Sequence, residues 1–321
     1  MNNYCIVTTI NKPTKAIEKL HEYFGDNLII VGDEKTPKDW NYKGIVPMQE
    51  SEKLYAPKNH YARKNLGYLN AIKNKAELIY DTDDDNIPNK NWIFREEKVN
   101  SFVSDNEGWF NVYNIFTDYE TIWPRGFSLK HWRDNTQRSF SKKLNNSSIQ
   151  QGMVDGDPDV DAIWRLSIKY KIPFCKFIDV YLLPKAWCPF NSQSTWWFRK
   201  AFPLMYLPVN TSFRMTDIWR SFIAQKCLWA IGEGVTFHSP SEVYQDRNEH
   251  DLIKDLEDEI IGYRYNDRIV EILSELKLKS GEEFMCENLL TCYEELVEKN
   301  IFKKEEILSV KEWIKDYENV V

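Results

Sequence analysis

Apolar and polar positions follow two different periods over the first 90 residues. Short apolar runs at residues 4–10, 27–31 and 77–80 predict buried strands, and a further run at residues 44–47 predicts another short strand. Between them, helical spacing of apolar side chains predicts helices over residues 13–24 and 61–76. Alternating strands and helices are typical of an α/β protein with a parallel sheet covered by helices on both faces. Ligands bind such sheets where the parallel strands end.

The pattern changes after residue 100. Residues 100–250 combine short mixed segments with aromatic, Pro and Asn residues, and they contain a predicted helix over about residues 216–230. From Asp251 the chain reads as helical and carries 19 acidic against 10 basic side chains. We therefore expect a main domain of residues 1–250 and an acidic helical C-terminal segment of residues 251–321. The C-terminal helices are candidate surfaces for a homo-oligomer.

Composition excludes several classes of protein. The net charge of −7 argues against a dedicated nucleic-acid binder, which usually has a basic excess. The six cysteines form no CxxC pair, which favours reduced thiols. The sequence has no signal-peptide pattern and no uncharged apolar run long enough for a membrane span. These features predict a cytoplasmic protein, with peripheral membrane association as the remaining kind of membrane contact.

Four carboxylates crowd into residues 81–85, directly after a predicted strand. In an extended chain Asp81, Asp83 and Asp85 point to the same side. Burying unpaired carboxylates is costly, and Mn²⁺ or Mg²⁺ would offset their repulsion because both ions prefer oxygen ligands. The alternative is a solvated turn in which Asp84 or Asp85 caps a helix. After a strand in an α/β pattern, the metal site is the favoured interpretation.

Other polar side chains are candidates for binding a nucleotide. Two cations and an amide open the helix of residues 61–76, where acids are usual, so a nearby phosphate would explain them. These are Arg63, Lys64 and Asn65. Hydroxyl, amide and carboxylate groups for a base and ribose follow the first two strands at Thr8, Thr9, Asn11 and Asp33. Ordinary surface polarity is the alternative for each.

Two motifs in the middle of the chain carry further candidates. In Trp123-Pro124-Arg125-Gly126, Pro124 makes the turn rigid and Gly126 allows an unusual backbone angle, so Arg125 is held in place for catalysis or for a structural contact with Trp123. Acids then recur at every second position from residue 155 to residue 161. The sixth and twelfth positions are not the Gly and Glu that an EF-hand requires. The candidates for binding polar hydroxyls, or for capping a helix, are Asp157, Asp159 and Asp161.

Three more residues complete the candidate set. Asp217 opens the helix of residues 216–230, as an N-terminal cap or as a general base aimed into a cleft. Eleven of the 12 tryptophans lie between residues 40 and 229, and Trp123 and Trp219 are candidates for contact with a sugar ring, with core filling as the alternative. His250 has the most polar neighbours of the five histidines, which makes it a candidate metal ligand or a structural histidine.

Together these motifs resemble the STELLO-type glycosyltransferase-like family. The resemblance spans about residues 4–251, and no motif after residue 251 contributes to it. It is carried by the segments Asn11–Thr14, Arg63–Tyr68, Ile79–Asn86, Trp123–Gly126, Gly156–Ala162, Asn191–Thr195, Asp217–Arg220 and Arg247–His250.

The resemblance implies the GT-A fold of nucleotide-diphospho-sugar transferases, an α/β fold with a mixed, mainly parallel sheet flanked by helices, to which the C-terminal helical segment would be an appendage. In that fold a D-x-D motif holds a divalent metal against the diphosphate of the donor. Counting back from Pro88 selects Asp81 and Asp83, whereas counting from the three successive acids selects Asp83 and Asp85. The implied activity is metal-dependent, inverting transfer of a hexose or pentose from a nucleotide sugar, preferably a UDP-sugar. The acceptor would be a hydroxyl of a glycan or glycoconjugate, as in polysaccharide biosynthesis, with Asp217 taking its proton.

Two other functions stay open at this point. A weaker similarity to the reversibly glycosylated polypeptides, which are UDP-arabinopyranose mutases, places Arg125, Pro158–Ala162 and Asp217–Trp219 in matching order, although Ile218 stands where that family has Met. It implies a mutase, or a protein that glycosylates itself at Arg125. The third possibility is a non-catalytic module that binds nucleotides or glycans or organises other glycosyltransferases.

Overall fold

The computed structural model describes residues 2–104, 107–119, 121–134, 140–168, 173–176, 178–245 and 251–321. Within them the strands are β1 (Asn3–Thr8), β2 (Leu28–Val31), β3 (Leu78–Thr82), β4 (Asn86–Pro88), β5 (Lys98–Ser104), β6 (Gly108–Trp109), β7 (Phe140–Asn146), β8 (Ile149–Asp155), β9 (Val180–Leu182), β10 (Ala186–Trp187), β11 (Ser194–Phe198) and β12 (Val235–Gln245). The α-helices are α1 (Lys15–Phe24), α2 (Lys64–Lys73), α3 (Tyr113–Phe116), α4 (Ala162–Ser167), α5 (Thr216–Trp229), α6 (Leu252–Glu275), α7 (Met285–Glu298) and α8 (Glu305–Val320).

One large mixed sheet organises the fold. Its strand order is β2-β1-β3-β11-β8-β12-β9-β5-β7, with β4 paired to β12. β1, β2 and β3 are parallel, and β12 is parallel to β8, whereas β11 runs antiparallel between β3 and β8. The carboxyl ends of β1, β3, β8 and β12 therefore meet at one edge, which we call the carboxyl edge. Polar loops that follow these strands are brought together there.

Alternating side chains of β1 build a hydrophobic core on each face of the sheet. Cys5 and Val7 pack with Leu20 of α1 on one face, and Ile6 packs with Leu69 of α2 on the other. α1 begins at the N-cap Thr14, whose hydroxyl accepts from the N–H of Ile17. The predicted α/β class and its mainly parallel, helix-flanked sheet are confirmed.

The C-terminal helices share the core of the main sheet. Leu289 of α7 and Trp313 of α8 belong to the same buried cluster as Phe222 of α5. The indole N–H of Trp313 donates to the carbonyl of Pro203 at 2.9 Å. The predicted helical character after residue 251 is confirmed, and the division into two domains at that point stays a prediction. Within the described ranges, every helix is too short or too polar to cross a lipid bilayer.

The strand predicted at residues 44–47 is wrong. Lys43 and Gly44 adopt positive φ angles of 50° and 89°, and the N–H of Ile45 donates to the carbonyl of Tyr42. This tight turn uses the backbone groups that a strand would offer to a neighbour. The helix predicted at residues 61–76 is a 3₁₀ turn at Tyr61–Arg63 followed by α2.

Gly67→Ala tests the close approach of α2 to the sheet. A Cβ at this position would lie 2.6 Å from Cγ2 of Ile6 and 2.7 Å from Cγ2 of Val31. Alanine favours a helix by about 1 kcal/mol, but overpacking a core costs about 1–3 kcal/mol. We expect a net loss in the free energy of unfolding, measured by denaturant titration. Lys73→Ala, at an exposed position of the same helix, is the control, and a Gly67→Ala protein as stable as the wild type would contradict the packing.

Candidate functional site

Asp81, at the end of β3, is a fully buried carboxylate between two cations. Lys64 Nζ lies 2.8 Å from Oδ1, and Arg220 Nη1 lies 3.0 Å from Oδ2. Burial alone would raise the pKa of Asp81, but Lys64 and Arg220 hold it below its usual value. Asp81 is thus neutralised inside the protein and does not face the solvent as a metal ligand would.

Asp83 stands one step further out at the carboxyl edge. Its side chain is 30% exposed and receives bonds from Tyr61 Oη at 2.7 Å and Lys64 Nζ at 3.0 Å. Burial, together with the negative charge of Asp85, raises the pKa of Asp83 to about 6 against the opposing attraction of Lys64. A cation close to Asp83 and Asp85 would relieve this repulsion.

Asp85 belongs to a chain of amides along the same edge. Gln245, at the end of β12, donates to Asp85 Oδ2 at 2.9 Å and accepts from Gln193 at 2.6 Å. The backbone carbonyl of Gln193 in turn accepts from Thr82 Oγ1 at 2.6 Å. β3, β11 and β12 therefore hold Asp85 in one position through side-chain contacts.

The predicted metal ligands are only partly brought together. Asp83 and Asp85 meet the oxygen-ligand preference of Mn²⁺ and Mg²⁺, whereas Asp81 is already compensated by Lys64 and Arg220. His250 lies outside the described residues. In the part of the chain that is described, no group of three or more His, Cys, Asp or Glu side chains forms a complete metal site. Two carboxylates plus substrate phosphate are nevertheless a common Mg²⁺ environment.

Two of the four predicted nucleoside-binding residues contact Asp84. Thr9 Oγ1 donates to Asp84 Oδ2, and Asn11 Nδ2 donates to the same oxygen at 3.1 Å. Thr8 is half-buried at the end of β1. Asp33 follows β2 and accepts from the N–H of Glu34 at 2.8 Å. Thr8, Thr9 and Asn11 thus lie at the carboxyl edge, where Asn11 is exposed, Thr8 is half-buried and Thr9 is buried.

The side chains of Arg63 and Asn65 hydrogen-bond to backbone groups and do not face the carboxyl edge. The buried guanidinium of Arg63 donates to the carbonyls of Ala56 and Glu50. Asn65 is fully buried and exchanges hydrogen bonds with the backbone of Leu207 at 2.9 and 3.0 Å. Of the three residues expected near a diphosphate, only Lys64 contacts the carboxylates of residues 81–85, which we call the acid cluster.

Arg125 is the centre of a second buried cluster. Its Nη1 and Nη2 lie 2.9 and 3.0 Å from the two carboxylate oxygens of Asp217, and Nε and Nη2 donate to Asp159 at 2.7–3.0 Å. Nη1 also donates to the carbonyl of Arg214. All five N–H groups of the guanidinium are therefore used. Asp217 receives one further bond, from the N–H of Ser192 at 3.2 Å.

Backbone geometry explains why Arg125 is held so firmly. Gly126 has φ +84°, and a Cβ there would lie 2.3 Å from Cγ2 of Ile218, so the predicted unusual angle is confirmed. The N–H of Arg125 donates to the carbonyl of Asp159 at 3.0 Å. Arg125 holds the pKa of Asp159 down at about 2, against the opposite effect of burial.

Helix α6 extends this cluster into the C-terminal segment. Glu259 is fully buried and accepts from the Arg214 guanidinium at 2.7 Å, from the N–H of Ala162 at 2.9 Å and from Tyr263 Oη at 2.8 Å. The same guanidinium lies 3.9 Å from Asp159. The C-terminal segment thus supplies an anion to the site.

The remaining candidates have structural contacts. Asp161 is the N-cap of α4, as one of the alternatives predicted, and accepts from the N–H of Trp164 and from the indole of Trp123. Asp157 pairs with Arg165. Trp219 is fully buried, donates to Asn266 at 2.9 Å and packs against a phenylalanine ring, which is the core-filling alternative.

Sequence reasoning missed several members of the site. Arg220, Tyr61 and Glu259 contact Asp81, Asp83 and Arg214 respectively. Arg220 follows Asp217 by three positions, which places both on one face of a helix, so helical spacing carried a signal for it. Glu259 lies in a long acidic helix whose other acids are mostly surface residues, and the sequence had no feature that singled it out.

The mixed sheet and its flanking helices make this an α/β protein whose architecture is consistent with a GT-A-like glycosyltransferase fold. The sequence model of the family "STELLO glycosyltransferases" matches residues 214–321. The relative "Probable glycosyltransferase STELLO2" of Arabidopsis thaliana is 26% identical over 98% of this chain and 44% of its own length. "Probable glycosyltransferase STELLO1" of the same plant is 27% identical over 77% of this chain and 36% of its own length.

These matches confirm the resemblance to the STELLO-type family. They extend it beyond residue 251, where no motif was expected, because the family match reaches the last residue. The chain spans less than half the length of both relatives.

Lys64→Met tests whether Asp81 depends on its two cations. The change leaves a buried carboxylate with Arg220 alone, and removing one member of a buried ion pair costs about 3–5 kcal/mol. We expect a loss of that order in the free energy of unfolding from denaturant titration. Lys19→Met, which breaks an exposed pair with Glu22, should have little effect, and equal effects of the two changes would contradict the role of Lys64.

Asp161→Asn tests the protonation of a buried cap. Burial raises the pKa of Asp161 to about 7, although the bonds from Trp164 and Trp123 oppose the shift. The folded state therefore binds this proton more tightly than the unfolded chain, where the pKa is about 4. The resulting stability is complete below pH about 4 and is lost as the pH rises through about 7.

Melting temperatures measured from pH 5 to pH 8 should fall more steeply in the wild type than in Asp161→Asn. Asp39→Asn, at an exposed position, should keep the wild-type slope. Parallel slopes for the wild type and Asp161→Asn would show that Asp161 does not titrate in this range.

Proposed function

We propose that this chain is a glycosyltransferase that moves a sugar from a nucleotide-sugar donor, preferably a UDP-sugar, to a hydroxyl of a glycan or glycoconjugate. The observation that carries the proposal is the half-buried pair Asp83 and Asp85 at the carboxyl edge, where burial, together with the negative charge of Asp85, raises the pKa of Asp83 to about 6. The names of the matching family and of both relatives support the class of reaction.

Asp83 and Asp85 are the proposed residues for Mn²⁺ or Mg²⁺. This choice of register follows from Asp81, whose two oxygens are already paired with Lys64 and Arg220. When bound, the metal would supply Lewis-acid stabilisation of the charge on the leaving diphosphate. Tyr61 and Lys64 orient Asp83 by bonds at 2.7 and 3.0 Å.

The donor would lie along the carboxyl edge between β1 and β3. Thr8 and Asn11 would offer a hydroxyl and an amide to the nucleoside on the β1 side, and the buried Thr9 would position Asp84 beside them. The buried Lys64 ammonium is fixed in place by Asp81 at 2.8 Å and Asp83 at 3.0 Å, next to the position proposed for the diphosphate. Preorganised charge in a site that excludes water is more effective than the same charge in solvent.

Asp217 is the proposed general base. A carboxylate offers about four acceptor positions, and three are used by Arg125 and the N–H of Ser192. The remaining position on Oδ1 suits one acceptor hydroxyl. In the step we propose, that hydroxyl oxygen bonds to the anomeric carbon while the bond from this carbon to the phosphate oxygen breaks. The proton passes to Asp217 and the nucleoside diphosphate leaves, which inverts the anomeric centre.

Arg125 would act as a positioning residue for Asp217. Its five N–H groups already have acceptors, so self-glycosylation at Arg125 would first require this cluster to open. The mutase alternative is therefore disfavoured. The scaffold alternative differs in its outcome, because it predicts nucleotide binding without turnover.

Release of UDP from UDP-sugars in the presence of Mn²⁺ tests the proposal. We expect turnover by the wild type, a loss of about 100-fold or more in Asp83→Asn and Asp217→Asn, and loss of activity when EDTA removes the metal. Asp26→Asn, at an exposed position away from the carboxyl edge, is the control. Undiminished turnover by Asp83→Asn would remove the metal site, and absence of turnover by the wild type with every UDP-sugar and added acceptor would favour the scaffold.

A further inference from the structure

Phe213 is an aromatic side chain held in solvent next to the acid cluster. It is 59% exposed, although it lies in the short 3₁₀ turn Phe213–Met215 that leads into α5. An exposed aromatic ring gains little from folding, so its position beside a polar site calls for another explanation than core packing.

The residues on both sides of Phe213 are anchored. Ser212 Oγ donates to the carbonyl of Asp258 at 2.5 Å, and the Arg214 guanidinium pairs with Glu259 at 2.7 Å. The carbonyl of Arg214 accepts from Arg125. The backbone that carries the ring is therefore fixed by α6 on one side and by the Arg125 cluster on the other.

The ring of Phe213 also contacts the acid cluster through Tyr61. The two ring centroids are 5.4 Å apart at an interplanar angle of 67°, which is an edge-to-face contact. The hydroxyl of Tyr61 donates to Asp83 Oδ1 at 2.7 Å. One aromatic ring thus separates the exposed face of Phe213 from the proposed metal-binding carboxylate.

We propose that Phe213, supported by Tyr61, is a stacking surface for the apolar face of the acceptor's sugar ring. A pyranose presents C–H groups on its faces and hydroxyls at its rim, so an exposed aromatic face gives it apolar burial while the hydroxyls stay free. Phe213 lies directly before α5, which carries Asp217, whereas Thr9 and Asn11 contact Asp84 after β1. The stacking surface therefore lies on the side of the site where the acceptor would bind, and this assignment rests on the proposed function.

Saturation-transfer NMR with a β-1,4-linked glucose hexamer tests the surface. The wild type and Phe213→Trp should transfer saturation to the ring C–H protons of the hexamer, and Phe213→Ala should transfer about fivefold less. Leu308→Ala removes an equally exposed apolar side chain on α8 and should match the wild type. Melting temperatures identify any variant that fails to fold.

Three results would overturn the inference. The first is the absence of saturation transfer from the wild type to the hexamer. The second is equal transfer from Phe213→Ala and from the wild type. The third is a loss of transfer in Phe213→Ala that is seen at the base protons of added UDP and not at the hexamer. UDP release by the same wild-type sample separates this inference from the proposed function. If the hexamer binds in a way that depends on Phe213 but no UDP is released, only the proposed transferase activity is contradicted. If UDP is released but hexamer binding is unchanged in Phe213→Ala, only the stacking surface is contradicted.

Discussion

The structure depends on the neutralisation of Asp81 by Lys64 and Arg220 inside the protein. Desolvating a carboxylate costs several kcal/mol, which only close cations and good hydrogen-bond geometry repay. The three residues belong to β3, α2 and α5, so this ion pair fixes both helices against the end of a central strand. Lys64 also contacts Asp83, which lies closer to the surface of the site, and this contact helps to fix the position of the Asp83 carboxylate.

A second ion cluster continues from the first. Arg220 donates to Ser192 Oγ, and the N–H of Ser192 donates to Asp217, which Arg125 clamps. Through Arg214 and Glu259 the cluster reaches α6 in the C-terminal segment. The carboxylates proposed for the metal and for the general base are thus parts of one connected network. Such a network keeps the two groups at a constant separation, which transfer between two bound substrates requires.

Local sequence pattern predicted the early strands, α2 and α5 well, because each carries a periodic apolar face. It failed at residues 44–47, where apolar side chains lie in a turn with positive φ angles. Motif reasoning located Asp81, Asp83, Arg125 and Asp217 at the site. It could not show that Asp81 is buried or that the side chains of Arg63 and Asn65 hydrogen-bond to backbone groups. These contacts depend on how β3, α2 and α5 pack together in the tertiary structure. Glu259 lacked a motif altogether.

A crystal structure of the protein with Mn²⁺ and UDP tests the central claim most directly. We expect anomalous density for Mn²⁺ on the carboxylates of Asp83 and Asp85, in contact with the diphosphate, while Asp81 stays between Lys64 and Arg220. Manganese on Asp81, or a carboxyl edge that holds neither manganese nor UDP, would contradict it.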